Sequence, residues 1–231
     1  YGFAPLTDRE GERRLMIAMA RPAVLDDALS MPKAAGLEVV DIIPAPVALF
    51  NAMQAWGWVV PEPVIYADIG GSATEVAIGS TDGLMFGRSF PIGGQMFTEA
   101  VAATGKMTPV QAETFKVTMG AVSRADETGR AMIQVADRWL AELSACLSIH
   151  KSAFAQPEAQ PRRMILSGGG SELNRLAEYL AEKSGMEILP VAGAPAAPNA
   201  LLPGKFKVDH PARFMLATGL ALSGLNVGPV N

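Results

Sequence analysis

One cysteine and two histidines are all that this chain of 231 residues has of the side chains that cross-link or hold soft metals. Cys146 can form no internal disulfide, and with His150 and His210 it makes no cluster spaced for zinc, a pattern that fits a reducing compartment. Apolar runs are short as well. None reaches the about 18 residues that a membrane-spanning helix needs, so any membrane association is expected to go through a partner rather than by direct insertion. Nor is there a basic excess: 19 Lys and Arg stand against 23 Asp and Glu, for a formal charge of −4. The basic residues are scattered, and no nucleic-acid partner is expected. What the chain does have is apolar content, 49% against 18% charged, enough to bury the core of one or two globular domains.

Hydrophobic periodicity predicts strand, helix, strand over residues 13–43: an apolar run at 13–20, a helix opened by Pro22 and stopped by Gly36, and a strand from Leu37 to Ile43. Pro46 opens a helix to Trp56, and Pro61 and Pro63 lead to a change of pattern, which sets a boundary near residue 60. Three strands follow as a meander, Val64–Asp68, Thr74–Gly79 and Leu84–Phe90, the last two joined by Thr-Asp-Gly at 81–83. Helices are predicted at 94–104 and 109–118, and a long one at 126–153 carries Met132, Val135, Trp139, Leu143, Cys146 and Leu147 at helical spacing. These helices are read as a helical layer or insertion at about 105–160. A strand at 163–166, a triple-glycine turn, a helix to Lys183 and a strand at 187–189 come next. A Pro- and Ala-rich loop at 191–210 leads to an apolar helix at 211–225. His150 is read as a surface or edge residue, and Cys146 as core.

Two glycine turns carry the chemistry. In Asp68-Ile69-Gly70-Gly71-Ser72-Ala73-Thr74, between two strands, bare glycines let backbone N–H groups approach a phosphate, and the hydroxyls of Ser72 and Thr74 can donate to its oxygens. Asp68 at the strand end can hold Mg²⁺ through water. The plain alternative is a tight hairpin with no ligand. In Leu166-Ser167-Gly168-Gly169-Gly170-Ser171-Glu172 a strand runs into glycines and then directly into a helix, which would turn helix N-terminal N–H groups toward a ligand. Here the alternative is that the glycines serve close packing of helix on strand.

On these two turns the chain resembles the actin-like ATPase superfamily. Asp68 to Thr74 is similar to its second phosphate loop, and Ser167 to Ser171 to its adenosine loop. Arg88-Ser89-Phe90-Pro91-Ile92-Gly93-Gly94, Phe97-Thr98-Glu99-Ala100 and Gln111-Ala112-Glu113-Thr114-Phe115-Lys116 resemble the type IV pilus assembly protein PilM family in particular, and the unit at 13–43 resembles the small subdomain that family shares with the division protein FtsA. The resemblance implies an α/β, ribonuclease H-like lobe preceded by that subdomain, with 1–60 as subdomain and connecting helix and 61–231 as the nucleotide-binding lobe.

It also implies ATP and Mg²⁺ as cofactors. Asp68, Gly70, Gly71, Ser72, Thr74, Gly168, Gly169, Gly170 and Ser171 are then the nucleotide residues, with Glu113 and Lys116 touching ribose and adenine. Read as residues alone, Glu113 and Lys116 form a solvated i, i+3 ion pair equally well. The segments Pro44 to Leu49 and Ala217 to Ala221 resemble the two connectors between lobes, whose small residues allow hinging. Many relatives carry a glutamate where this chain has Ala45, so at most slow hydrolysis is expected. The superfamily's first phosphate loop and its lobe have no counterpart, and the chain is read as the larger part of such a protein, with Tyr1 and Asn231 as cuts.

The function implied is an ATP-binding cytoplasmic scaffold of type IV pilus or related secretion assembly. Its partners would be the short cytoplasmic tail of an inner-membrane protein, PilN, and the assembly motor ATPases. Two alternatives stand beside it. An active ATPase or phosphotransferase of the same superfamily would need a catalytic aspartate that the sequence does not offer. An FtsA-like filament protein would need an amphipathic, basic C-terminal helix, whereas the C-terminal segment here is apolar.

Overall fold

The computed structural model describes residues 2–9, 12–39, 41–123, 126–191 and 209–224. Strands β1 (Gly2–Arg9) and β2 (Glu12–Ala18) form an antiparallel hairpin with Gly2 opposite Ala18. Helix α1 (Pro22–Ala34) follows, with Pro22 in its first turn, and the chain leaves it through Gly36 at φ +71°. The order is therefore strand, strand, helix, and the strand expected at 37–43 does not form: residues 37–39 and 41–44 have no regular structure. A strand needs a neighbour for its backbone groups. β2 takes its neighbour from the residues just before it, whose strand character Pro5 obscures in the sequence.

The main body is a five-stranded sheet in the order β5-β4-β3-β6-β7. Its strands are β3 (Val64–Ile69), β4 (Thr74–Ser80), β5 (Gly83–Phe90), β6 (Arg163–Ser167) and β7 (Glu187–Pro190). β3, β4 and β5 run as the antiparallel meander the sequence suggests, while β3, β6 and β7 are parallel. β3 is buried along its whole length, as a strand covered on both faces must be.

Side chains alternate cleanly between the two covering layers. Ile65, Ala67, Ile69, Val76, Ile78, Met164 and Leu166 join a core with α3 (Gly94–Gly105), α5 (Glu127–Ala153) and α6 (Leu176–Ser184). Val64, Tyr66, Ala77 and Ile165 face the other way, onto Leu49, Phe50 and Met53 of α2 (Ala45–Ala55) and Met215 of α7 (Met215–Gly224). α2 and α7 cross closely: a Cβ on Gly219 would lie 1.8 Å from the Ala48 carbonyl oxygen.

The long helix α5 packs on the sheet through Met132, Val135, Trp139, Leu143 and Cys146, and its apolar stripe runs one turn further than expected. His150, four residues beyond Cys146, is fully buried rather than at the surface. Its Nε2 lies 2.9 Å from the Ala159 carbonyl oxygen, and its ring stacks on Phe154 at 4.9 Å. The Pro- and Ala-rich loop read at 191–210 lies outside the described residues from 192 to 208.

Candidate functional site

Adjacent parallel strands point their carboxyl ends the same way, and in open α/β sheets ligands collect beyond those ends. β3 and β6 are such neighbours, with Asp68 opposite Ser167 in register. Both residues fall on the α2 side of the sheet, in step with Tyr66 and Ile165. Their side chains meet there: Ser167 Oγ donates to Asp68 Oδ2 at 2.8 Å, in buried surroundings. The two glycine turns, about 100 residues apart in the chain, are thus side by side at one end of the sheet. Burial pushes the Asp68 carboxyl up to about 6; the Ser167 bond opposes this and the nearby Glu75 charge adds to it. Among the described residues Oδ1 of Asp68 accepts no hydrogen bond. A carboxylate so placed, short of partners and raised by desolvation, is suited to a cation.

The glycines divide into two kinds. Gly168, at φ +82°, would bring a Cβ within 2.4 Å of the Ile69 carbonyl oxygen, and a Cβ on Gly170 would lie 2.4 Å from the Ile69 side chain. These two are required by the close approach of one turn to the other. Gly71 and Gly169 are different. Neither has positive φ, and a Cβ on either would meet nothing within 4 Å, so nothing among the described residues explains glycine at these exposed positions.

In the first turn, α3 takes the carbonyls: Gly94 N–H donates to Gly70 O at 2.9 Å and Gln95 N–H to Gly71 O at 2.8 Å. The N–H groups of Gly71 and Ser72 have no backbone acceptor among the described residues, and Ser72 is exposed. A concave turn with its carbonyls engaged and its amides open fits an anion such as a nucleotide phosphate.

Three sequence expectations change here. Thr74 does not offer its hydroxyl to a ligand. It begins β4 on the α5 side of the sheet, where it is fully buried, donates to Ile92 O at 2.6 Å and accepts from Trp139 Nε1 at 2.9 Å. Ser171, also buried, spends its hydroxyl on Gly168 O at 2.7 Å and so closes its own turn. The third change is that the glycines do not run directly into an α-helix: residues 169–172 form a 3-10 turn, and α6 starts only at Leu176 after Arg175 at φ 63°. Packing Gly170 onto Ile69 calls for the tighter turn.

On the neighbouring side, α4 (Pro109–Thr118) lies against α3. Glu113 and Lys116 do share a face, with Lys116 Nζ 2.7 Å from Glu113 Oε2. The same Nζ donates to Gly94 O at 3.1 Å and Thr98 Oγ1 at 2.9 Å, so all three of its protons have acceptors within the protein. Burial alone would raise the Glu113 carboxyl, but the bonds from Lys116 and Thr98 and the Lys116 charge outweigh it and hold the group below its ordinary range. Sequence reasoning placed Ser167 in the second turn without pairing it with Asp68, and missed Thr98 as a site residue. Strand alternation could have paired Ser167 with Asp68, whereas nothing in the sequence signals that Thr98 reaches α4.

The mixed sheet, with glycine turns at the carboxyl ends of two neighbouring parallel strands and helices on both faces, has the actin-like fold. Solved structures agree. MreB 5 of Spiroplasma citri bound to AMPPNP superposes with TM-score 0.66 at 13% identity, over 90% of this chain and 66% of that one. The ethanolamine utilization protein EutJ from Carboxydothermus hydrogenoformans gives 0.55 at 22%, over 84% and 59%.

Within that fold the chain belongs to the type IV pilus assembly protein PilM family, whose model matches residues 3–225. The PilM-PilN type IV pilus biogenesis complex holds a chain 29% identical to this one, with TM-score 0.76; the match covers 99% of the present chain and 66% of that one's length. No curated protein sequence matches. No helix among the described residues is long and apolar enough to cross a membrane.

Proposed function

We propose that the chain is the nucleotide-binding part of an actin-like scaffold for type IV pilus or related secretion assembly. In this reading residues 61–231 hold ATP with Mg²⁺, and residues 1–60 face a membrane-bound partner. The observation that carries it is the pair Gly71 and Gly169, bare toward open space on the two turns that follow Asp68 and Ser167, at positions where packing among the described residues needs no glycine. A backbone surface kept clear on two adjacent turns is what a polyphosphate and its nucleoside require for close approach.

Asp68 would hold Mg²⁺ through water, and the metal would offset the phosphate charge. The amides of Gly71 and Ser72 would face the phosphates, Gly168 to Gly170 the nucleoside, and Glu113 its donor groups. Gly70 shapes the first turn, Lys116 braces Glu113, and Thr74 and Ser171 serve as supports. The chain spans 66% of the PilM chain it matches, and no second glycine hairpin faces the phosphates from across the cleft among the described residues. Positioning and charge stabilisation from both sides govern phosphoryl transfer, so this chain alone should bind ATP weakly and hydrolyse none detectably.

A partner surface fits the small unit. Among the described residues, seven of the 13 large apolar side chains that stand exposed lie in residues 17–42, Ile17, Met19, Met31 and Leu37 among them, and α1 buries none of its residues. Apolar side chains gathered in this way mark interaction sites. A short cytoplasmic tail of a PilN-like inner-membrane protein is the occupant we infer, which would hold the chain in the cytoplasm at the membrane and within reach of the assembly motors.

The nucleotide reading is tested by calorimetric titration of the full-length protein with ATP, with and without Mg²⁺, beside Asp68→Ala. Mg-dependent affinity should fall by about 1–3 kcal/mol on losing a charge-assisted contact. An unchanged affinity would remove Asp68 from the site.

A further inference from the structure

Lys116 and Glu113 form a pair, yet only one of them has anything left to offer. The Lys116 ammonium is divided among Glu113 Oε2 at 2.7 Å, Thr98 Oγ1 at 2.9 Å and Gly94 O at 3.1 Å, and its side chain is 11% exposed. The Glu113 side chain is 52% exposed. Its Oε2 takes both Lys116 and the Thr98 hydroxyl, while Oε1 accepts nothing among the described residues. Thr98 is itself buried on α3, one turn from Gly94, and Gly94 N–H holds the phosphate-side turn through Gly70 O.

We propose that Thr98 is a positioning residue: its hydroxyl fixes the Glu113 carboxylate so that Oε1 alone accepts from a donor group on the nucleoside half of the bound nucleotide, while Lys116 braces that carboxylate from within and touches no ligand. The proposal rests on the nucleotide reading above. A carboxylate oxygen repels phosphate and accepts only from a donor, which on a nucleoside means a ribose hydroxyl or an exocyclic amino group. Holding one of its two oxygens inside removes rotation about the terminal torsion, and a contact already oriented loses less freedom when the ligand arrives. The bond to Thr98 therefore serves recognition, while Lys116, which donates to Gly94 O, ties the nucleoside side of the site to the phosphate turn.

The test is calorimetric titration of the full-length protein and its Thr98→Val, Thr98→Ala and Thr98→Ser variants with the Mg²⁺ complexes of ATP, 2′-deoxy-ATP, 3′-deoxy-ATP, ITP and tripolyphosphate. The parent should prefer ATP to the analogue that lacks the donor by about tenfold, the scale of one hydrogen bond to a charged group. Weaker deoxy-ATP binding would identify a ribose hydroxyl, and weaker ITP binding the amino group. Thr98→Val and Thr98→Ala should lose about tenfold in ATP affinity and most of that preference, with tripolyphosphate unchanged. Thr98→Ser, which keeps the hydroxyl, should restore both.

Valine and alanine variants that keep the parent's preference would overturn the proposal. So would an equal loss for tripolyphosphate, which would mark a general structural role. A parent that binds ATP but discriminates against none of the analogues would overturn it while leaving the nucleotide reading intact. A parent that binds no nucleotide would overturn both.

Discussion

Replacing Asp68 by Asn should stabilise the ligand-free protein at neutral pH while removing its Mg²⁺-dependent hold on ATP. The carboxyl sits 6% exposed, and burial, resisted by the Ser167 bond and assisted by Glu75, lifts it from 3.8 to about 6. A group that binds its proton more tightly when folded favours the folded state at low pH. That contribution is complete below about pH 4 and is lost as the pH rises through about 6. At 1.36 kcal/mol per tenfold, the interval amounts to about 3 kcal/mol at most. Glu75, also raised by burial, acts in the same direction.

Denaturant unfolding of the ligand-free parent should therefore show stability falling between about pH 4 and 6 from Asp68, against any opposing trend from other carboxylates. Asp68→Asn should flatten that fall and gain about 1–3 kcal/mol at pH 7.5. A gain in stability with a loss of ligand affinity is the behaviour of a residue kept for function. A variant less stable than the parent at pH 7.5 would contradict it.

Four of the five turn glycines should separate into two classes. Gly168→Ala forces a side chain into positive φ and against the backbone of Ile69, and should cost about 3 kcal/mol or more in unfolding free energy, or prevent folding outright. Gly170→Ala meets the Ile69 side chain instead and should cost less. Gly71→Ala and Gly169→Ala meet no neighbour, and should leave stability unchanged or raise it by about 0.4–1 kcal/mol through a less flexible unfolded chain. Their cost should appear only in ligand affinity, with ATP binding weakened about tenfold or more by the methyl group where the nucleotide must approach. If both retain the parent's affinity, the turns are packing devices and the plain hairpin reading prevails.

The sheet was legible because its strands carry alternation bounded by turn residues: Val64 to Phe90 could be divided within a residue or two of the observed ends. The two glycine turns were legible for the same reason, each following an apolar strand. The misreadings share one cause, namely that sequence gives spacing but not partners. Residues 37–43 are apolar enough for a strand, yet the hairpin partner of β2 lies before it. Thr74 carries a hydroxyl beside a glycine turn, but it stands in step with Val76 and Ile78 and so points at Trp139 under α5, as the alternation could have indicated. His150 falls on the apolar stripe of α5, and the polar character of the ring hid that. The link from Thr98 to Glu113 depends on α3 and α4 lying together, which nothing in either segment encodes.

The central claim is that the turns at Asp68–Ser72 and Gly168–Gly170 form one nucleotide site, and the most direct measurement is a backbone amide chemical-shift map of the full-length protein titrated with Mg²⁺-ATP. Gly71, Ser72, Gly169 and Gly170 should move together along a single binding curve, while Arg162 and Arg163 at the far end of β6 stay still. Shifts confined to the far end, or to one turn without the other, would contradict it.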